Sequence, residues 1–207
     1  MSELLPKELV TKNAYDVSAL PWSLAHNDPK FWEDEMPRFH ELLPEGSILE
    51  IGAGGARDAK KLVALGYQYT GTDVSPGMLA VARAELPGHK FIEQSVYSLD
   101  LPEAPFDGFW ASAVLLHIPK SRIDEALQRV KSVMRDKAIG FISIKDGHGE
   151  GMERDNVRGV WLEQFFCRWS KEDFSEVLSR NGFSVVDYMY KPMSEKTKWH
   201  SFFTQLD

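Results

Sequence analysis

Residues 48–73 read ILEIGAGGARDAKKLVALGYQYTGTD. The stretch passes from an apolar strand through a glycine-rich turn and an amphipathic helix to a second strand ending in a carboxylate. Glycine reaches positive φ and lacks a Cβ, so Gly52, Gly54 and Gly55 let the backbone approach a ligand at the N-terminus of the next helix. In an open parallel sheet, ligands bind beyond the carboxyl ends of the strands, where Asp73 can accept both hydroxyls of a ribose. The stretch is a nucleotide-cofactor cradle, and by itself it leaves the cofactor open.

Outward from the cradle the chain alternates strands and helices. Ser75 and Pro76 supply an N-cap and a first helical position, and Met78, Leu79, Val81 and Ala82 follow on the inner face. Met78 can lie on a nucleobase or belong to plain core. Residues 90–93 read as a third strand, followed by a turn at Ser95 and Val96. The run FDGFWASAVLL at 106–116 is a fourth strand with small residues near its end, then His117. Ser121 and Asp124 form a capping box for a helix striped by Ile123, Leu127, Val130 and Met134. Residues 138–144 read as a fifth strand, and strands alternating with helices at this spacing imply βαβ units in a parallel sheet. Ser170 and Asp173 cap a later helix stopped at Asn181-Gly182, and residues 183–190 and 199–205 read as an antiparallel pair.

Two segments stand outside that pattern. Residues 1–45 carry Pro6, Pro21, Pro29, Pro37 and Pro44 and many aromatics, which predicts short helices and turns: a helical flap on a domain of residues 46–207. Asp28-Pro29 opens a helix through Trp32, Met36, Phe39 and Leu43, kinked or restarted at Pro37. As a lid, the flap would exclude water with Tyr15, Trp22 or Trp32. Residues 146–159 are polar, glycine-rich and without hydrophobic period, and read as a lid or binding loop.

At 207 residues, 43% hydrophobic and 27% charged, the chain fits one soluble domain. A formal charge of −7 opposes a phosphate-binding surface, so no nucleic-acid partner is expected. No apolar run reaches the roughly 20 residues needed to span a bilayer, and the N-terminus lacks a signal-peptide pattern. The expectation is a cytoplasmic protein with no membrane contact, monomeric or weakly dimeric. Cys167 is the only cysteine, so neither an internal disulfide nor a cysteine-based metal cluster can form, and no metal site is expected.

Residues 52–57, GAGGAR, match the first two glycines of the dinucleotide fingerprint but place Arg57 where the third would stand. That disfavours NAD or FAD, and the Walker lysine pattern is missing. Residues 48–85, with Glu50 just before the glycine loop, resemble the first motifs of the class I S-adenosylmethionine-dependent methyltransferases. FDGFWASAVLLHIPK resembles that family's strand-four motif, and residues 165–188 its late helix and sixth strand. The resemblance implies a Rossmann-like α/β fold with a doubly wound seven-stranded sheet in order 3-2-1-4-5-7-6 and an antiparallel last strand.

It further implies S-adenosylmethionine as cofactor. Gly52, Ala53 and Gly54 would border its methionine portion, with Asp73 and the adjacent Val74 at the ribose and Met78 beside the adenine. Tyr15 would cover the site. Where many relatives carry an Asp for the adenine amino group this chain has Ser95, leaving the backbone of Val96 as the substitute. Ala113 and Leu115 would line the cofactor after strand four, and Arg57 would meet its carboxylate, stay solvated or pair with Asp58.

Methyl transfer from a sulfonium is an in-line displacement of an already activated group. The protein must align the acceptor, exclude water and, for a protonated acceptor, remove a proton. Candidate bases are His117, Asp146 and His148, each at or just beyond a strand's carboxyl end. The NPPY-type motif of base-modifying relatives is missing, which favours a small-molecule acceptor. The alternatives are an NAD(P)-dependent oxidoreductase and a non-catalytic cofactor-binding module.

Overall fold

The computed structural model describes residues 3–195 and 197–207. Two helices, α1 (Pro6–Ala25) and α2 (Glu35–Leu42), precede an alternating run: β1 (Ser47–Ile51), α3 (Ala59–Ala64), β2 (Gln68–Asp73), α4 (Pro76–Glu85) and β3 (Lys90–Glu93). There follow β4 (Phe106–Ser112), α5 (Ile123–Lys131), β5 (Met134–Lys145), β6 (Glu150–Val157), β7 (Val160–Cys167), α6 (Lys171–Arg180), β8 (Phe183–Pro192) and β9 (Lys198–Leu206).

Seven strands form one sheet in the order β3-β2-β1-β4-β5-β9-β8, in which β9 runs antiparallel to both its neighbours. Because β6 and β7 pair with each other outside this sheet, the order is the expected 3-2-1-4-5-7-6. Successive side chains of a strand point to opposite faces, and here both faces are buried. Leu49, Phe109, Ile142 and Phe202 pack on the side of α5 and α6, with Leu127 and Phe174. Their neighbours Ile48, Trp110, Phe141 and Phe203 pack on the other side, with Phe39, Leu62 and Leu79 from α2, α3 and α4. The near-continuous apolar runs of the central strands follow from this double burial.

Four expectations are corrected. The N-terminal region is dominated by one helix of 20 residues that passes through Pro21. Proline there removes an N–H that would have bonded to the carbonyl four residues earlier, on Val17, a residue that is 72% exposed. The second helix begins at Glu35, not at Pro29. Pro37 sits in its first turn, where a backbone N–H has no intrahelical partner in any case, so there is no kink.

The Ser121/Asp124 capping box does not form. Residues Lys120–Arg122 make a 3-10 turn, and Asp124 instead accepts from Arg180 Nε at 2.9 Å and Asn181 Nδ2 at 2.6 Å. Residues 146–159 are not a structureless loop. They include β6, which pairs with β7 across a two-residue turn in which Arg158 and Gly159 have φ of 51° and 88°. That is the twist-matched hairpin turn. The hydrophobic period was missing because most of β6 is exposed on both faces. Among the described residues, no helix is long and apolar enough to cross a membrane.

Candidate active site

The carboxyl ends of β1 to β5 converge with α1 and the β6–β7 hairpin around a cavity of about 530 Å³, within the range of small-molecule sites. At its floor the backbone turns sharply after β1. Gly52 has φ +72° and a Cβ there would meet the Val114 side chain at 2.6 Å. The Gly52 and Ala53 N–H groups both donate to the Thr72 carbonyl, at 2.8 and 2.9 Å, which ties the loop to β2.

Asp73 ends β2 beside that loop. Its Oδ2 accepts from the Gly54 N–H at 2.9 Å and its Oδ1 from the Ser75 N–H at 2.8 Å. Burial pushes its pKa up, and the two backbone donors work against that rise. Each oxygen is therefore fixed in direction yet keeps lone pairs free toward the cavity. Glu50, on β1 just before the glycine turn, is buried and accepts from the Tyr69 hydroxyl, and burial together with nearby Asp58 drives its pKa well up.

Arg57 is committed to Asp58, through Nε to Oδ1 at 2.7 Å and Nη2 to Oδ2 at 3.1 Å. Asp58 Oδ2 also accepts from Trp110 Nε1 at 3.0 Å. Burial raises the Asp58 pKa, but Arg57 together with Trp110 and Ser112 offsets it and the carboxyl stays below its ordinary value. Of the two partners considered for Arg57, the structure has Asp58.

Helix α1 closes the site from above. Asp16 Oδ1 accepts from Ser75 Oγ at 2.6 Å and from the Gly77 N–H at 3.1 Å, which places α1 on the first turn of α4. One residue earlier, Tyr15 shares a 2.8 Å hydrogen bond with His117 Nε2. The other ring nitrogen of His117 lies 2.7 Å from the Phe165 carbonyl of β7, an acceptor only, so Nδ1 carries the proton and Nε2 receives the Tyr15 hydroxyl. Burial depresses the His117 pKa to about 4, and nearby Lys145 adds to the effect.

Of the residues singled out from sequence, Gly52, Ala53, Gly54 and Arg57 line the cavity at the first turn. Asp73, Val74 and Met78 line it after β2, Ser95 and Val96 after β3, Ala113 and His117 after β4, and Tyr15 from α1. Three do not. Leu115 turns into the core on the α5 side, because Ala113, at φ 53°, redirects the chain and leaves Val114 and Leu116 on the wall. Asp146 is held away by His200 Nε2 at 3.0 Å and the Tyr190 hydroxyl at 3.0 Å. His148 is exposed in the turn before β6 and is no part of the wall.

The wall also contains residues the sequence reading passed over: Lys145, Gln164, Phe166 and Trp199. Lys145 was findable, since it ends β5 as Asp73 ends β2. Gln164 and Phe166 carry no such signal, because the other arm of their hairpin, within residues 146–159, reads as a loop.

Residues 48–137 match the family model of the methyltransferase domain. Over 80 residues the chain is 42% identical to trans-aconitate 2-methyltransferase of Methylobacterium nodulans, which is 38% of this chain and 31% of that protein, so the chain matches under a third of that relative's length. The 1,6-didemethyltoxoflavin-N1-methyltransferase of Burkholderia thailandensis, solved with 1,6-didemethyltoxoflavin and S-adenosylhomocysteine, superposes with a TM-score of 0.70 at 20% identity, covering 100% of this chain and 92% of that one. Magnesium protoporphyrin IX methyltransferase of Synechocystis, solved with S-adenosylmethionine, gives 0.71 at 14% identity and 100% coverage of both chains. Residues 48–137 thus match a methyltransferase domain, and the order and direction of the seven strands are those of the class I S-adenosylmethionine-dependent methyltransferase fold.

Proposed function

We propose that the protein binds S-adenosylmethionine and transfers its methyl group to a small-molecule acceptor. The observation that carries this is Asp73. Its two oxygens are oriented by backbone donors at the carboxyl end of β2 and open onto the cavity, an arrangement suited to a vicinal diol. The glycine turn fits a ligand lying close against it: Gly54 has φ +52° with nothing within 4 Å of a would-be Cβ, so the space beside it is open. The bound cofactors of the Burkholderia and Synechocystis enzymes lend support by analogy of fold.

On this reading Gly52, Ala53 and Gly54 border the methionine portion, Asp73 and Val74 hold the ribose, and Met78, Ser95 and Val96 surround the adenine. The cofactor supplies a methyl group already activated by a positive sulfur. The chain's own contribution is alignment and exclusion of water. Residues 1–45 act as the cover on a cofactor domain of residues 46–207, with Tyr15 fixed by His117 over the junction between the β1–β3 and β4–β5 halves of the cavity. His117 is a positioning residue: both its ring nitrogens are engaged. The size of the cavity under α1 and the net charge of −7 favour a small acceptor over a nucleic acid.

Calorimetry with S-adenosylmethionine, S-adenosylhomocysteine and NAD tests the reading. Binding of the two sulfur compounds is expected. Binding of NAD alone would support an oxidoreductase instead, and binding without turnover of any metabolite would favour a non-catalytic module.

A further inference from the structure

The part of the cavity formed by β5 and β7 holds two hydrogen-bond donors, on Lys145 and Gln164, without a hydrogen-bonded partner among the described residues. Lys145 stands at the end of β5, opposite Trp199 of β9, where the sheet fixes its backbone. Its Nζ lies 3.8 Å from the centre of the Phe166 ring. Among the described residues no carboxylate is within ion-pair distance of it. The other cations of the wall are spent, Arg57 on Asp58 and Lys12 on Asp16 at 2.7 Å. The carboxylates that act on Lys145 from further off are Glu153, already bound by Arg168, and the exposed Asp155; the Arg168 guanidinium works against them.

Gln164 of β7 is 1% exposed, lines the same cavity, and its Nε2 has no hydrogen-bond partner. A buried amide N–H left unpaired is destabilising, so such a group is normally completed by a ligand or water. The Gln164 amide lies beside the Tyr15 hydroxyl, whose pKa burial raises, and works against that rise as a donor would, though in a geometry outside the hydrogen-bond limits. The wall around these groups is aromatic, with Phe166, Phe31 and Trp199. An ammonium and an amide N–H over an apolar wall suit an anionic oxygen on an organic body.

We propose that Lys145 and Gln164 form an anion-holding subsite, and that the methyl acceptor is a small molecule bearing a carboxylate. The inference rests on the methyl-transfer reading above. The 42% identical stretch of a trans-aconitate methyltransferase bears on it only lightly, because that alignment covers 80 residues.

The test combines cofactor binding with an acceptor screen. S-adenosylhomocysteine affinity is first measured by calorimetry for the natural protein, Lys145→Met and Gln164→Leu. Purified protein is then incubated with S-adenosylmethionine and three pools: carboxylic acids including trans-aconitate, their neutral amides, and amines. Methylated products are read by mass spectrometry. Expected are products from the acid pool, a KM at least tenfold higher in Lys145→Met and severalfold higher in Gln164→Leu, and S-adenosylhomocysteine affinity unchanged within about twofold.

Products only from amides or amines, no product from the acids, or an unaltered KM in Lys145→Met would overturn the proposal. So would a tenfold loss of S-adenosylhomocysteine affinity in Lys145→Met, which would assign the subsite to the cofactor's own carboxylate. If the natural protein fails to bind S-adenosylhomocysteine at all, the methyl-transfer reading fails first and this one with it.

Discussion

Tyr15 of α1 and His117 after β4, 102 positions apart in the chain, share a hydrogen bond of 2.8 Å across the mouth of the cavity. The bond joins the N-terminal cover to the sheet, and the Phe165 carbonyl behind His117 fixes the direction of the proton. Tyr15→Phe should leave Nε2 of His117 without a donor and lower stability by about 1–3 kcal/mol, the usual cost of an orphaned buried acceptor. A double-mutant cycle with His117→Leu, read by urea unfolding, should give a coupling of at least about 0.5 kcal/mol. Additive effects would show that the two side chains do not depend on each other.

His117 also sets a pH dependence. Its folded pKa is about 4 against an ordinary 6.5, so the unfolded chain binds the extra proton over that interval. Stability therefore rises with pH from about 4 to 6.5 and is lost on acidification through the same window, by about 2–3 kcal/mol from this group once partial access of water is allowed for. Urea midpoints at pH 7, 5.5 and 4.5 should fall less steeply in His117→Gln than in the natural protein.

Asp73→Ala should weaken S-adenosylhomocysteine binding at least tenfold, given about 1.5–3 kcal/mol for charge-assisted hydrogen bonds. Asp73→Asn keeps one acceptor oxygen and should fall between. Titration calorimetry decides it, with circular dichroism confirming the fold. An unchanged affinity in folded Asp73→Ala would remove the ribose role.

Gly77 lies where α1 meets α4. A Cβ there would meet the Asp16 backbone oxygen at 2.7 Å and its Cα at 3.1 Å, so backbone must move. Gly77→Ala should lift the cover and break the Asp16 contact with the first turn of α4. Hydrogen exchange should speed up in residues 6–25 while the central strands keep their protection.

Asp58 is 6% exposed and bonded to Arg57 and Trp110. Asp58→Ala strands a guanidinium and an indole N–H, and should cost about 3 kcal/mol or more. Chemical denaturation measures that loss directly. Asp58→Asn, which keeps an acceptor for Trp110, should lose less.

The regular elements were legible because their signals are local. Ser75-Pro76 caps α4 as expected, with the Met78 N–H donating to Ser75 Oγ at 3.1 Å, and Ser170 caps α6 by accepting from the Asp173 N–H at 3.1 Å. Where two signals compete, locality fails. Ser121 and Asp124 have box spacing, yet Asp124 is drawn off by Arg180 and Asn181, residues on α6 and just beyond it. Pro21 reads as a breaker, yet the helix persists because α1 gains its stability from packing on β7 and α4. The β6–β7 hairpin was hidden because β6 has no core face and thus no alternation to read.

The sequence by itself determined the parallel sheet, its order through family resemblance, the glycine turn and Asp73. Each of these is set within about thirty residues by strand, turn and helix chemistry, or by a motif. Only the tertiary structure decided what the cavity is lined with beyond the cradle. It paired Arg57 with Asp58, removed Leu115, Asp146 and His148 from the wall, and brought Tyr15, Lys145 and Gln164 to one place. Those three lie on α1, β5 and β7, and nothing in their local sequence encodes a meeting that depends on how a helix and a hairpin dock over the sheet.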